Sequence, residues 1–273
     1  MRAAVLGRPV GHSLSPVLHS AAYAALGLAD WAYTAVDCGE DELAGTVAGL
    51  GPDWAGLSLT MPLKRVALAV ADEVDPLAAA VGAANTLVLG GRRVAYNTDV
   101  AGIAAALGEA GLSAPGSAVI LGAGGTAQAA LAALGTLGVR EPVVLVRDPD
   151  RAGPLRETAR RLGLGLGLRA GLPGPIPAAD VVVSTLPAGA ADDLTPPGTI
   201  VLDVIYAPWP TRFAAAATEA GATVVSGLAM LLHQAAAQVE LMTGRAAPVE
   251  AMRAALTSAV RARTEKPPAP PAP

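Results

Sequence analysis

The chain has 273 residues, 52% hydrophobic and 15% charged, with a formal net charge of −4. That length buries a sizeable core in two domains or one large one, and the composition excludes a disordered chain. An acidic balance without any basic run argues against nucleic acid as a partner, so any anion site must be built locally from a few residues.

Apolar strands alternate with helices from the first residues onward. "RAAVLG" reads as a strand, and the segment "RPVGHSLSP" leads into a helix over "PVLHSAAYAALGL". Ser15, directly before Pro16, reads as the helix cap. Ser13 sits beside the same helix start, where free N–H groups and the macrodipole gather, and is either a loop hydrogen bonder or part of an anion site. Next come a strand "WAYTAVD", a helix "EDELAGTVAGL", a strand "WAGLSLT" and a helix over "LKRVALAVADEV". "NTLVLGGRRVAYN" is a hairpin turning at Gly90-Gly91.

The helix "VAGIAAALGEAG" leads to the strand, turn and helix of "SAVILGAGGTAQAALAALGTLG". Further strands at "PVVLVR", "DVVVSTLP" and "TIVLDVIY" continue the rhythm of a parallel, doubly wound sheet. A long helix over about 227–242 and a last one over "PVEAMRAALTSAV" close the pattern. A domain boundary is expected near residue 100. The first unit is then 1–100, with helices from about 230–263 packing back on it, and the second is 101–229. Residues 264–273, "TEKPPAPPAP", read as a Pro-rich disordered tail.

The single Cys38 excludes an internal disulfide, and one Cys with three His gives no expectation of a metal. No apolar run reaches signal-peptide or membrane-span length, so a soluble cytoplasmic protein is expected.

"GAGGTA" supplies Gly122, Gly124 and Ala127 between a strand and a helix, the context a dinucleotide fingerprint requires. Its glycines allow a tight turn and close backbone approach to a pyrophosphate. The end of the next strand selects the cofactor. "VRDPDR" places Arg147 and Arg151 where two guanidiniums can clasp the 2′-phosphate of NADP; Asp148 either receives an NAD ribose or caps the following turn.

Four segments, "GRPVGHSLSPVLH", "LTMPLK", "GAANT" with the later "NTD", and "GAGGTA", together resemble the shikimate dehydrogenase family. The similarity continues through "DVIYAPWPT" and "GLAMLLHQAAAQ". The resemblance implies an N-terminal α/β substrate domain followed by a Rossmann-type domain. The implied activity is NADPH-dependent reduction of 3-dehydroshikimate to shikimate, on the route to chorismate. By position, Ser13 and Ser15 would hold the substrate carboxylate, and Thr60, Lys64, Asn85, Asp99, Tyr206 and Gln234 would contact substrate. Lys64 and Asp99 match the catalytic pair. Gly122, Ala123, Gly124, Gly125, Thr126, Val146, Arg147, Asp148, Arg151, Val204, Gly227 and Met230 match the nucleotide side. The chain departs from the family at Ser58, often Asn, at Val146–Asp148, often Asn-Arg-Thr, and at Gln128, often Arg.

Reduction of a ketone leaves alkoxide charge that needs a positioned proton donor. Lys64, in the first turn of the expected helix, would oppose the helix dipole and lose proton affinity if shielded. Asp99 can be the N-cap of the next helix and the partner of Lys64 at once, and the role beside Lys64 is the one expected. Alternatives are a quinate/shikimate dehydrogenase using NAD and a non-catalytic nucleotide-binding regulator; a regulator has no need of both Lys64 and Asp99. The expected oligomeric state is monomer or homodimer.

Overall fold

The computed structural model describes residues 1–172, 174–197 and 199–264, with the Thr264 side chain excepted. Most of the expected tail, residues 265–273, lies outside them, and the Thr264 backbone closes the last helix. The first half runs β1 (Arg2–Gly7), α1 (Ser15–Ala25), β2 (Ala32–Asp37), α2 (Leu43–Ala48), β3 (Trp54–Leu59), α3 (Ala67–Val70), β4 (Glu73–Val74), α4 (Pro76–Val81), β5 (Thr86–Gly90) and β6 (Arg92–Tyr96). Its six strands pair in the order β2-β1-β3-β5-β6-β4. Small and aliphatic side chains on β1 and β3 (Ala4, Leu6, Leu57, Leu59) fill the core beneath α2 and α3. β5 runs antiparallel to β3, with Ser58 opposite Thr86, and its hairpin to β6 turns at Gly91.

The second half runs α5 (Asp99–Glu109), β7 (Ala118–Leu121), α6 (Gly125–Thr136), β8 (Val143–Val146), α7 (Gly153–Leu162), β9 (Gly167–Ala170), β10 (Val181–Ser184), β11 (Ile200–Asp203), α8 (Arg212–Glu219), β12 (Thr223–Ser226), α9 (Gly227–Thr243) and α10 (Val249–Thr264). Its strands pair in parallel in the order β12-β11-β10-β7-β8-β9. The chain direction across the sheet reverses between β7 and β10, the place where such sheets bind ligands beyond the carboxyl ends of their strands.

One helix contact closes the second half on itself and another joins it to the first. α5 and α9 cross so closely that a side chain at Gly102 would meet the Met230 carbonyl at 2.8 Å. α10 and α9 pack on α1 through Leu14, Leu18, Ala22, Leu232, Val239, Met252 and Leu256. α9 therefore leaves the nucleotide-type sheet and lies against the first sheet, carrying its polar face between them.

One expected element is corrected. "LKRVALAVADEV" is not one helix: residues 61–66 are turns, only Ala67–Val70 is helical, and Glu73–Val74 is strand β4. The Lys64 carbonyl is taken by the Ala84 N–H at 2.7 Å instead of a helical partner. Asp72 accepts from the Arg93 backbone and guanidinium, drawing the segment's end into pairing with β6.

Candidate active site

A cavity of about 310 Å³ opens between the two sheets. Ser13, Ser15, Thr60, Lys64, Asn85, Asp99, Tyr206 and Gln234 all line it, as do Thr126, Val204, Gly227 and Met230 from the nucleotide side. Residues spread over more than 200 positions thus converge on one space. α1, β3, β5, α5 and α9 each end or pass there, which is why motifs far apart in the chain share it.

At its floor the Lys64 Nζ donates to Asp99 Oδ2 at 2.6 Å, with side-chain exposures of 23% and 5%. The other Asp99 oxygen accepts from Asn85 Nδ2 at 2.9 Å. Asp99 is not a helix cap. The N–H of Asp99 goes to Asn97 Oδ1 at 3.1 Å, so Asn97 serves the helix start and both Asp99 oxygens stay free for Lys64 and Asn85. Lys64 is not in a helix first turn either, so the expected opposition from a helix of its own is not what sets its surroundings. A buried carboxylate held by an amide and touching a half-screened ammonium can orient a substrate hydroxyl while the ammonium delivers a proton.

The two opening serines exchange roles. α1 begins at Ser15 itself with Leu14 as cap residue and no side-chain cap bond to the helix. Ser13 Oγ instead accepts from the Ser15 N–H at 3.2 Å, and the buried Ser15 hydroxyl lines the cavity within hydrogen-bond reach of Tyr33. The reason is one of register: Pro16 fills the second helical position, so the hydroxyl that can reach back to a free N–H lies one residue further out. Burial raises the Tyr206 phenol above its ordinary range, against the opposing pull of Arg263, so it enters the cavity as a neutral donor.

A second cavity, of about 570 Å³, is lined by Gly122, Ala123, Gly124, Val146, Arg147, Asp148 and Arg151 and walled by Leu172, Leu186, Pro187 and Leu194. Gly122 has φ +104°, a conformation that other residues rarely adopt, and a Cβ there would strike Thr185 Oγ1 at 2.7 Å. Gly124 faces open space at the start of α6, a helix without an acidic residue in its first turn. Gly125, the first residue of α6, lines neither cavity. These features fit a dinucleotide: free N–H groups for a pyrophosphate, two exposed arginines for a further phosphate, and apolar walls for a base. Asp148 accepts from the Asp150 N–H at 3.0 Å and caps the short 3₁₀ turn Pro149–Ala152, so the capping alternative is the one realised.

Gln128 faces neither cavity. It is 3% exposed and donates to the Val81 carbonyl at 2.9 Å and Thr158 Oγ1 at 2.8 Å, tying α6 to α4 and α7. Its oxygen accepts from Arg65 at 3.4 Å. The departure from Arg at this position therefore bears on how the halves are joined and not on cofactor contacts.

Sequence reasoning passed over several residues. Gln238 lines the cavity, as does Ser58, named above only as a departure from the family, and Tyr33, His19, Thr86 and Thr98 back it. Gln238 had a readable signal, lying four residues after Gln234 on the same helix face. His19 is fully buried, stacked on Tyr33 with centroids 4.0 Å apart, and burial pushes it down to about 3, so it is neutral. Among the described residues no cluster of His, Cys, Asp or Glu is placed to hold a metal ion, and no helix is long and apolar enough to cross a membrane.

Comparison with known proteins adds the family. Residues 5–87 match the shikimate dehydrogenase substrate binding domain, and residues 227–257 match the shikimate 5'-dehydrogenase C-terminal domain. A shikimate dehydrogenase (NADP(+)) of Moorella thermoacetica is 41% identical over 97% of this chain and 95% of its own length. The crystal structure of Mycobacterium tuberculosis shikimate dehydrogenase superposes with a TM-score of 0.86 at 47% identity, covering 94% of this chain and 99% of that one. The Thermus thermophilus enzyme in complex with NADP(H) and shikimate gives 0.82 at 34% identity, covering 95% and 99%.

Proposed function

The chain belongs to the shikimate dehydrogenase family, and from that premise we propose that its cleft reduces 3-dehydroshikimate to shikimate with NADPH, Lys64 and Asp99 acting as the catalytic pair. The observation that carries the assignment of residues is the 2.6 Å contact between Lys64 and Asp99 inside a cavity that both halves of the protein line.

Ser13, Ser15 and Tyr206 form the carboxylate end: three neutral hydroxyls beside the start of α1, whose free N–H groups favour an anion. Thr60, Asn85, Asp99 and Gln234 face the ring hydroxyls. NADPH, when bound, supplies the hydride, and the backbone from Gly122 to Thr126 with Val146, Arg147 and Arg151 would hold its phosphates and ribose, Val204, Gly227 and Met230 lying toward its reactive end. As the carbonyl oxygen gains charge, the Lys64 ammonium donates its proton to that oxygen, giving the alcohol. Asp99 holds the Lys64 side chain in place and fixes the hydroxyl next to the reacting carbon. Lys64, partly exposed, regains its proton from water.

Residues 1–100 with the helices over 230–263 act in this reading as the substrate unit, and 101–229 as the nucleotide unit. A cytoplasmic location and a monomer or homodimer accompany it, checked by cell fractionation and sedimentation. The deciding experiment is a steady-state assay of shikimate and quinate, each with NADP and NAD. The expected result is efficient turnover of shikimate with NADP alone; preference for quinate, for NAD, or no turnover would overturn the proposal.

A further inference from the structure

We propose that Gln238 is a positioning residue of the catalytic site, a fully bonded amide that fixes Asn85 and through it the Lys64–Asp99 pair. The inference rests on the catalytic assignment above. It starts from one unambiguous group. Gln238 Nε2 lies 3.1 Å from the Asn85 backbone carbonyl, which can only accept, so this end of the side chain is the NH₂. The second proton of that NH₂ goes to Thr86 Oγ1 at 3.0 Å.

The remaining protons follow by elimination. Gln238 Oε1 must accept from both neighbours, Ser58 Oγ at 2.6 Å and His19 Nε2 at 3.2 Å. Ser58 has then spent its proton, so the hydroxyl of Tyr33, 2.6 Å away, donates to it. His19 carries its proton on Nε2, and its buried Nδ1 has no hydrogen-bond partner, as expected for a neutral ring held in one tautomer. All four bonding positions of the Gln238 amide are used inside the protein, so none remains for a substrate although the residue lines the cavity.

The same order of donors continues toward the catalytic pair. Thr86 Oγ1 accepts from Gln238 and donates to Asn85 Oδ1 at 2.9 Å. Asn85 Oδ1 also receives the Thr98 N–H at 2.7 Å, so Asn85 Nδ2 is the end turned to Asp99 and Gln234. Gln234 and Gln238 share one face of α9 but divide the work: the first amide lines the substrate space, and the second anchors the helix to β5. With all four positions of the Gln238 amide filled, this end of the network has one low-energy arrangement, whereas a gap in it leaves Asn85 free to turn its oxygen toward Asp99.

The test uses Gln238→Leu, Thr86→Val and Thr86→Ser in the full chain, with Lys64→Ala alongside. Gln238→Leu should lower kcat at least tenfold, raise the KM for shikimate and shift the pH profile, leaving the KM for NADPH unchanged. Thr86→Val removes only the linking hydroxyl and should lower kcat three- to tenfold, and Thr86→Ser should return it to within twofold. Because both act along one path, the Gln238→Leu/Thr86→Val pair should be little worse than Gln238→Leu. Normal kcat and pH profile in folded Gln238→Leu and Thr86→Val would overturn the proposal. If Gln238→Leu does not fold, failure of Thr86→Ser to restore what Thr86→Val loses does the same. Full activity of Lys64→Ala would instead remove the catalytic assignment beneath it.

Discussion

The Lys64–Asp99 contact makes a residue-scale prediction sharp. Two groups 2.6 Å apart that act on the same proton should fail together. Lys64→Ala should lower kcat by about 10²–10⁴, the range for a general acid–base group, with a modest change in KM. Asp99→Asn keeps the bond from Asn85 in shape but removes the charge beside Lys64, so kcat should fall and the pH profile move. The double variant should be little worse than the worse single one in steady-state assays; fully additive losses would mean independent roles. His19 gives a second prediction, on stability. Its folded-state value of about 3 lies below the unfolded value of 6.5, so between these pH values the unfolded chain binds a proton that the folded one refuses. Stability from this group is intact above pH 6.5 and falls as pH drops, by about 1.4 kcal/mol per pH unit. Urea unfolding at pH 6.5, 5.5 and 4.5 should show a shallower decline in His19→Gln than in the parent; equal slopes would show that the ring titrates normally when folded.

Elements were legible where a short signal decides them and obscure where a distant partner does. The strand, Gly122 turn and helix of the fingerprint form as their sequence requires, because the backbone conformation is local to them. The helix expected around Lys64 does not form, because Ala84 and Arg93, roughly 20 residues on, take the groups that would have propagated it. Similarly, Ser58 and Gln238 are 180 residues apart and meet only because α9 crosses onto β5. At the start of α1 the residues were legible and their roles were not, since a one-position shift decides which serine reaches the free N–H. The shift changes what each variant should do. Ser13→Ala should cost about 1 kcal/mol of stability, as loss of a cap-type bond does, and also weaken substrate binding. Ser15→Ala should melt within a degree or two of the parent yet raise the KM for shikimate severalfold. Thermal melts paired with initial-rate assays separate the two; an unchanged KM in Ser15→Ala would remove its hydroxyl from the carboxylate end.

At the scale of the whole molecule, the division of labour lies between two cavities. The cavity between the sheets is the one proposed for the small substrate; the other, on the nucleotide-type half, ends in Arg147, Asp148 and Arg151. The halves are held by the packing of α9 and α10 on α1 and by Gln128 and Thr158, which both donate to the Val81 carbonyl at 2.9 Å. A change at the far end of the second cavity should therefore leave the substrate end undisturbed. Asp148 is occupied with the turn after β8, and among the described residues lining this cavity, which include the carboxylate of Asp193, the cations placed to meet a 2′-phosphate are Arg147 and Arg151. Each charge-assisted contact to a phosphate contributes about 1.5–3 kcal/mol, reduced where the partner is exposed, as both arginines are. Replacing both with Ala should raise the KM for NADPH at least tenfold. Any use of NADH, which has no phosphate for them to lose, should hardly change, and neither should the KM for shikimate. The cofactor preference then falls toward parity through loss of the better ligand alone. Equal losses with both cofactors would mean that the arginines hold the shape of the loop after β8 instead of reading the phosphate.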